Sequence, residues 1–256
     1  MNLQKYTRTN CCAEKRKKTN DLIIMEQLFY APDIAIDPIL PEDESQHCAR
    51  VLRLKEGDCI TITDGKGFLY TAILENTHPK HCRVNITEQL PQKPLWDYNI
   101  HIAIAPTKNI DRMEWFVEKA TEIGINTITC LCCRHSERRE IKLQRLNKIA
   151  VSAMKQSQKT VLPQINEMTD FNKLISQDYD GQRMIAHCAE DKKISIKEAY
   201  KPGSNILILI GPEGDFSNDE INAATSAGYT PITLGESRLR TETAALVACH
   251  TIHLLN

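Results

Sequence analysis

No run of apolar residues in this 256-residue chain approaches the ~18 needed to span a bilayer, which excludes a membrane-spanning helix. Neither G-x-G-x-x-G nor G-x-x-x-x-G-K-[ST] occurs, which argues against a conventional dinucleotide or nucleoside triphosphate site. There is no spaced cluster of Cys, His and carboxylates and no recognisable nucleophile motif, so no metal is expected. The first residues lack the apolar stretch and small-residue cleavage site of a secretion signal. The ten cysteines show no disulfide-framework regularity, and their scatter fits a reducing, cytoplasmic location. Cys130-x-x-Cys133 has a metal-like spacing, but it lies in an apolar strand pattern without a second ligand pair and is expected to be two buried thiols.

What is present is unevenly distributed. The 32 basic and 33 acidic residues nearly cancel, yet residues 1–24 carry six Lys/Arg against Glu14 and Asp21. That leader has a net charge of +4, which leaves −5 for the rest of a chain whose overall charge is −1. It is expected to be a disordered extension, with a natural start downstream of it as one reading; the competing reading is a basic arm that touches RNA. An acidic body argues against non-specific binding of polyanions, so a nucleic-acid site needs a local basic patch. Residues 134–159 supply one, with eight Lys/Arg against Glu137 and Glu140, a net of +6. Lys142, Arg145, Lys148 and Lys155 recur there among Ile141, Leu143, Leu146, Ile149 and Met154, which predicts a helix with one apolar and one cationic face.

Two domains are expected, over residues 25–94 and 95–256. The first reads as short strands and tight turns. Cys59–Thr63 and Phe68–Leu74 flank Asp64-Gly65-Lys66-Gly67 as a hairpin, and with further strands they predict a small β-barrel-like module. A short helix near residues 45–53 places His47, Arg50 and Arg53 at helical spacing, either as a solvated face or as a grip on a phosphate backbone. Pro91 and Pro94 suggest a linker. Beyond it, strands alternate with helices, which implies an α/β domain with a parallel sheet. Its first helix is expected to be capped by Asp111 and ended by Gly124.

Two blocks near the C-terminus carry the most information. The apolar strand Ile206–Ile210 runs into Gly211-Pro212-Glu213-Gly214, and Ser217-x-x-Glu220 is a capping box that opens the next helix. Thr233-Leu234-Gly235 repeats the strand-to-glycine arrangement and leads through Arg238, Leu239 and Arg240 to Thr241, whose hydroxyl is expected to start the last helix. Either loop alone reads as an ordinary strand-to-helix turn. Two side by side suggest one pocket at the carboxyl edge of an open sheet, with Arg238 and Arg240 suited to a carboxylate or an RNA phosphate.

At these residues the chain resembles the RsmE family of SPOUT methyltransferases. The likeness extends upstream through His47-x-x-x-Val51-Leu52-Arg53-x-x-x-Gly57-Asp58, Lys108…Arg112-Met113-Glu114, Ser136-Glu137-Arg138 and Gln156-Ser157. It covers the chain from about Gln27 to the end. The chain departs from the family's usual pattern in carrying Lys155 and Lys159, and Glu26 and Gln27 where the family has basic residues.

The resemblance implies a SPOUT-type parallel sheet with a trefoil knot behind a PUA-like RNA-binding domain. It also implies a homodimer, and S-adenosyl-L-methionine-dependent N3-methylation of the uridine at position 1498 of 16S rRNA within a small-subunit particle. The cofactor is expected against Leu209, Gly211, Pro212, Gly214, Leu234, Gly235, Leu239 and Thr241. Glu213 is expected as a candidate base, with Arg240 and Arg138 as anion-stabilising or RNA-positioning groups. RNA contacts are expected from His47, Arg50, Arg53, Lys108, Arg112, Arg134, Arg138, Lys155, Lys159 and Arg238. Another SPOUT reaction, on a ribose or on tRNA, and a non-catalytic ribosome-assembly factor are the competing readings.

Overall fold

The structure, a computed structural model, describes residues 27–189 and 193–256, so the basic leader lies outside the described residues. The chain divides into two compact units. One runs to Lys93 and also takes in Gln158–Val161; the other comprises Pro94–Ser157 and Leu162–Asn256. A single boundary between residues 94 and 95 has no place for the returning segment.

In the first unit, β1 (Leu28–Tyr30), β2 (Cys59–Thr63), β3 (Phe68–Leu74) and β4 (Val84–Pro91) form one sheet in chain order. β1 is parallel to β2, and the other pairs are antiparallel. The β2–β3 turn forms around Asp64, whose Oδ1 accepts the amides of Lys66 at 2.8 Å and Phe68 at 3.2 Å. The expected barrel is an open sheet of this order, extended by short backbone pairing of Pro38 and Leu40 with Val84 and Cys82. Pro91 closes β4 instead of starting the linker. The unit's core includes Phe29, Ile34, Leu40, Ile62, Tyr70 and Leu74, all nearly inaccessible.

The expected helix near residue 47 is α1 (Glu42–Gln46) followed by a π-helical turn, His47–Val51. Arg53 lies beyond it in the left-handed region, at φ 54°, so it does not continue the helical row of His47 and Arg50.

The second unit holds a seven-stranded sheet. Its strands are β5 (Ile100–Ile104), β6 (Thr127–Cys132), β7 (Gln164–Asp170), β8 (Gln182–Ala186), β9 (Ile194–Ser195), β10 (Ile206–Ile210) and β11 (Thr230–Thr233). Their order is β7-β6-β5-β10-β8-β11-β9, and every neighbouring pair is parallel. β10 is buried along its whole length because helices cover both faces of such a sheet. Alternation sends Ile206, Ile208 and Ile210 into one core, and Leu207 and Leu209 into the other. Each such side chain contributes roughly 1.5–3 kcal/mol on full burial.

The first core packs under α2 (Ile110–Ile123), α3 (Leu143–Gln156) and α7 (Thr241–Leu254). The second contains Phe171 and Leu174 of α4 (Phe171–Ile175) and Ile221 of α6 (Asn218–Ser226). A single short turn, α5 (Ile196–Ala199), leads from β9 toward β10.

Two helix starts differ from expectation. Asn109, not Asp111, caps α2, its side chain accepting the Asp111 amide at 3.1 Å. Arg240 occupies the cap position of α7, without a side-chain cap bond, and Thr241 is the first helical residue. Gly124 ends α2 at φ 129°, and a Cβ there would stand 2.4 Å from Trp96. Its carbonyl accepts His253 Nε2–H at 2.7 Å, which leaves Nδ1 to accept the Tyr98 hydroxyl at 2.8 Å. The C-terminal end of α7 is thereby fastened to the end of α2. After the outlying strand β11, the chain thus returns to the middle of the sheet.

Candidate cofactor and substrate site

β5 and β10 are adjacent, yet the chain leaves β5 toward β6 and β7 and leaves β10 toward the opposite edge. That reversal opens a crevice at the carboxyl ends of the strands, where open α/β sheets bind ligands. A cavity of about 310 Å³ occupies this place. Ile210, Gly211, Pro212 and Glu213 follow from β10, Ala186 and Cys188 from β8, and Arg238, Leu239, Arg240 and Thr241 from the segment leading into α7. The two sequence blocks therefore meet in one wall.

Gly211 has a packing reason to lack a side chain, since a Cβ would lie 3.1 Å from the Phe216 ring and 3.2 Å from its amide. Asp215 adopts φ 62° and bridges loops: Oδ2 accepts the Cys188 amide at 2.7 Å and Oδ1 its neighbour Phe216's amide at 2.8 Å. The capping box closes as expected, with Ser217 and Glu220 satisfying each other's backbone amides. Glu213 is exposed, and its Oε1 accepts the Lys108 amide at 3.0 Å. Arg138 grips the same loop from the other side, donating to the carbonyls of Thr107 at 3.1 Å and Lys108 at 2.7 Å. Lys108 Nζ pairs with Glu137 at 2.9 Å. Glu213 and Arg138 thus hold the segment after β5 in place.

Of the residues expected at the cofactor, Gly211, Pro212, Leu239 and Thr241 line this cavity, whereas Leu209, Gly214, Leu234 and Gly235 do not. Strand alternation points Leu209 into the opposite core, and Ile210 takes the place expected of it. Leu234 packs against the first core, Gly235 is exposed at φ 136°, and Gly214 faces His135. Ala186, Cys188 and Asp215 also line the cavity and escaped sequence reasoning because no motif marks them.

The expected RNA-binding residues are divided between the two units. His47, Arg50, Arg53 and Lys159 belong to the first unit, and Lys108, Arg112, Arg134, Arg138, Lys155 and Arg238 to the second. His47 is half-buried, and its Nε2 accepts Gln27 Nε2–H at 2.7 Å. Several cations of the basic stretch have intramolecular partners: Arg134 pairs with Asp219 at 2.9 Å and Arg145 with Glu114 at 2.5 Å. Arg112 and Arg238 face the cavity. Cys130 and Cys133 are buried free thiols as expected, and burial pushes Cys130 up to about 12. Among the described residues, no group of three or more His, Cys, Asp or Glu is placed to hold a metal ion.

The family model of an RNA methyltransferase domain matches residues 94–253, and that of an RNA methyltransferase PUA domain matches residues 40–87. A ribosomal RNA small subunit methyltransferase E from Rickettsia conorii is 30% identical over 84% of this chain and 89% of its own length. The protein of that name from Buchnera aphidicola is 28% identical over 92% and 93%.

Among solved structures, one described as a probable rRNA-methyltransferase from Porphyromonas gingivalis has 46% identity and a TM-score of 0.85, covering 90% of this chain and 98% of the other. A ribosomal RNA small subunit methyltransferase E from Neisseria gonorrhoeae, bound to S-adenosyl methionine, has 26% identity and a TM-score of 0.79 over 90% and 97%. With its cavity at the sheet's switch point and these matches along nearly the whole described chain, the protein belongs to the RNA methyltransferase family that includes the ribosomal RNA small subunit methyltransferases E.

Proposed function

We propose that this protein is an S-adenosylmethionine-dependent methyltransferase of 16S rRNA that modifies N3 of the uridine at position 1498. The observation that carries the reading is the single cavity built by the Gly211 and Arg238–Thr241 segments at the carboxyl edge of the sheet. Its chemistry fits the cofactor. Ile210, Leu239, Ala186 and Ala244 offer apolar wall for an adenosine, while Glu213 and Asp215 bring carboxylates suited to a sulfonium and an ammonium. Backbone groups of Gly211 and of the Leu239–Thr241 segment complete the adenosine contacts in this reading. When bound, S-adenosylmethionine supplies an electrophilic methyl group.

The chain's own task is to align the acceptor nitrogen and to favour its deprotonated form. Arg240 serves the second need, because it faces the cavity and its charge favours a uracil anion. Arg138 and Glu213 act by holding the Thr107–Lys108 segment. Arg50, Arg53, Lys155 and Lys159 are proposed contacts to the RNA backbone, and the methylated base leaves its stack to be reached. The C-terminal segment is threaded as a trefoil knot in this reading, which rests on the family resemblance. A cytoplasmic homodimer acting on a small-subunit particle belongs to the same proposal.

Two measurements test it. Gly211→Val should weaken S-adenosylmethionine binding by at least about tenfold in calorimetry; unchanged affinity in a folded variant rejects the pocket. Small-subunit rRNA from cells lacking the protein should lose one N3-methyluridine by mass spectrometry, and its retention rejects the substrate.

A further inference from the structure

A second cavity, also of about 310 Å³, opens beside the first and is lined by Asp111, Arg112, Trp115, Arg240, Glu242 and Thr243. The two cavities share Arg112 and Arg240. Trp115 presents a large ring at this surface, 42% exposed. Glu242 is the opposite case, with only 9% of its side chain exposed. Its Oε1 stands 3.9 Å from Arg112 Nε, beyond hydrogen-bond reach, and its buried Oε2 has no hydrogen-bond partner. A carboxylate withdrawn from water and left without a donor is costly in the free protein, and an incoming N–H or O–H relieves that cost.

We infer that this second cavity receives the flipped-out target base, with Trp115 as its stacking platform and Glu242 as the group that takes the proton from uracil N3. The inference rests on the proposed uridine methylation and adds the residue that reading lacks. The Watson–Crick edge of uracil runs acceptor, donor, acceptor through O4, N3–H and O2. Arg240, Glu242 and Arg112 offer the complementary set of donors and acceptor. Cytosine, with an acceptor at N3 and a donor at N4, mismatches both the carboxylate and one arginine. The N3–H bond breaks with its electron pair left on N3, and the proton passes to the Glu242 carboxylate. The nitrogen pair then forms the bond to the methyl group supplied by S-adenosylmethionine, while the C–S bonding pair stays on sulfur. Arg112 and Arg240 offset the charge that develops on O2 and O4.

The test separates binding from proton transfer. Uridine 5′-monophosphate should quench tryptophan fluorescence of the full chain in the presence of S-adenosylhomocysteine, and cytidine 5′-monophosphate should quench it less. Trp115→Phe should abolish that quench, because the other tryptophan, Trp96, lies elsewhere, against Gly124. Glu242→Gln keeps an acceptor of the same shape but a poor base, so it should bind the nucleotide as the wild type does and lose at least ~100-fold in methylation rate with small subunits. Turnover in Glu242→Gln within about threefold of wild type overturns the proton-accepting role. A quench that survives in Trp115→Phe, or none in the wild type at millimolar nucleotide, overturns the base pocket. A wild-type protein that shows the Trp115-dependent quench yet methylates no small-subunit uridine rejects the functional reading and leaves the pocket standing.

Discussion

Cys188 follows the carboxyl end of β8 and forms part of the wall of the proposed cofactor cavity, and it is an exposed free thiol. A bound cofactor would cover it. Alkylation at Cys188, followed by peptide mass spectrometry, should therefore slow at least about fivefold with saturating S-adenosylmethionine, while exposed Cys59 in the first unit provides the unprotected control. Equal rates with and without ligand would remove Cys188 from the cavity's working wall.

A second residue registers pH. His101 on β5 has Nε2 2.7 Å from the Thr129 hydroxyl, whose oxygen accepts Asn166 Nδ2–H at 2.9 Å. Burial pushes the imidazole down to about 4, whereas an unfolded chain has the ordinary value near 6.5. The unfolded state therefore binds more protons between those values, so His101 costs stability as pH falls from about 6.5 to 4 and nothing further below. The cost reaches about 3 kcal/mol. Urea unfolding of wild type and His101→Asn at pH 7 and 4.5 should show the variant losing less between the two.

At the scale of elements, the capping box at α6 ties the Gly211 loop to a helix, and Ser217→Ala should cost about 1 kcal/mol in thermal unfolding. Gly124→Ala should cost more, roughly 3 kcal/mol, because its Cβ meets Trp96 at 2.4 Å and its φ of 129° suits only glycine. The sequence made such elements readable wherever a single local rule decides them. The Asp64-Gly65 hairpin, the Ser217–Glu220 box, the Gly124 stop and the alternation of strands and helices all follow from short-range chemistry. What escaped depends on partners distant in sequence. Which side of β10 meets the cavity follows from parity within a run that is apolar throughout, so Leu209 and Ile210 could not be told apart. Cys188 and Asp215 reach the site through a loop–loop bond that no motif announces. Glu242 directly follows the Arg238–Thr241 segment, but its missing partner is a property of packing alone.

At the scale of the whole molecule, the two units are not consecutive pieces of chain. Gln158–Val161 leaves the second unit's α3 and belongs to the first, where the Thr160 carbonyl accepts the Gly67 amide at 2.9 Å and Val161 bridges to Lys66. Replacing residues 158–161 with a Gly-Ser linker should speed hydrogen exchange at Gly67 and its neighbours in β2 and β3. The amides of β10 should stay as protected as before. Equal protection at Gly67 would show that the segment adds nothing to the first unit.

That return also sets a timetable for synthesis. The Thr63 hydroxyl, whose nearer acceptor is the Phe68 carbonyl at 3.0 Å, stands 3.3 Å from the Thr160 carbonyl, 97 positions further along the chain. At ribosomal rates of roughly 5–20 residues per second, the β2–β3 hairpin waits about 5–20 s for its last partner. The N-terminal unit therefore emerges first but is completed only when most of the methyltransferase unit's first half has been made. Until then its turn carries an unfilled edge, the stretch of a nascent chain on which a chaperone has most to gain.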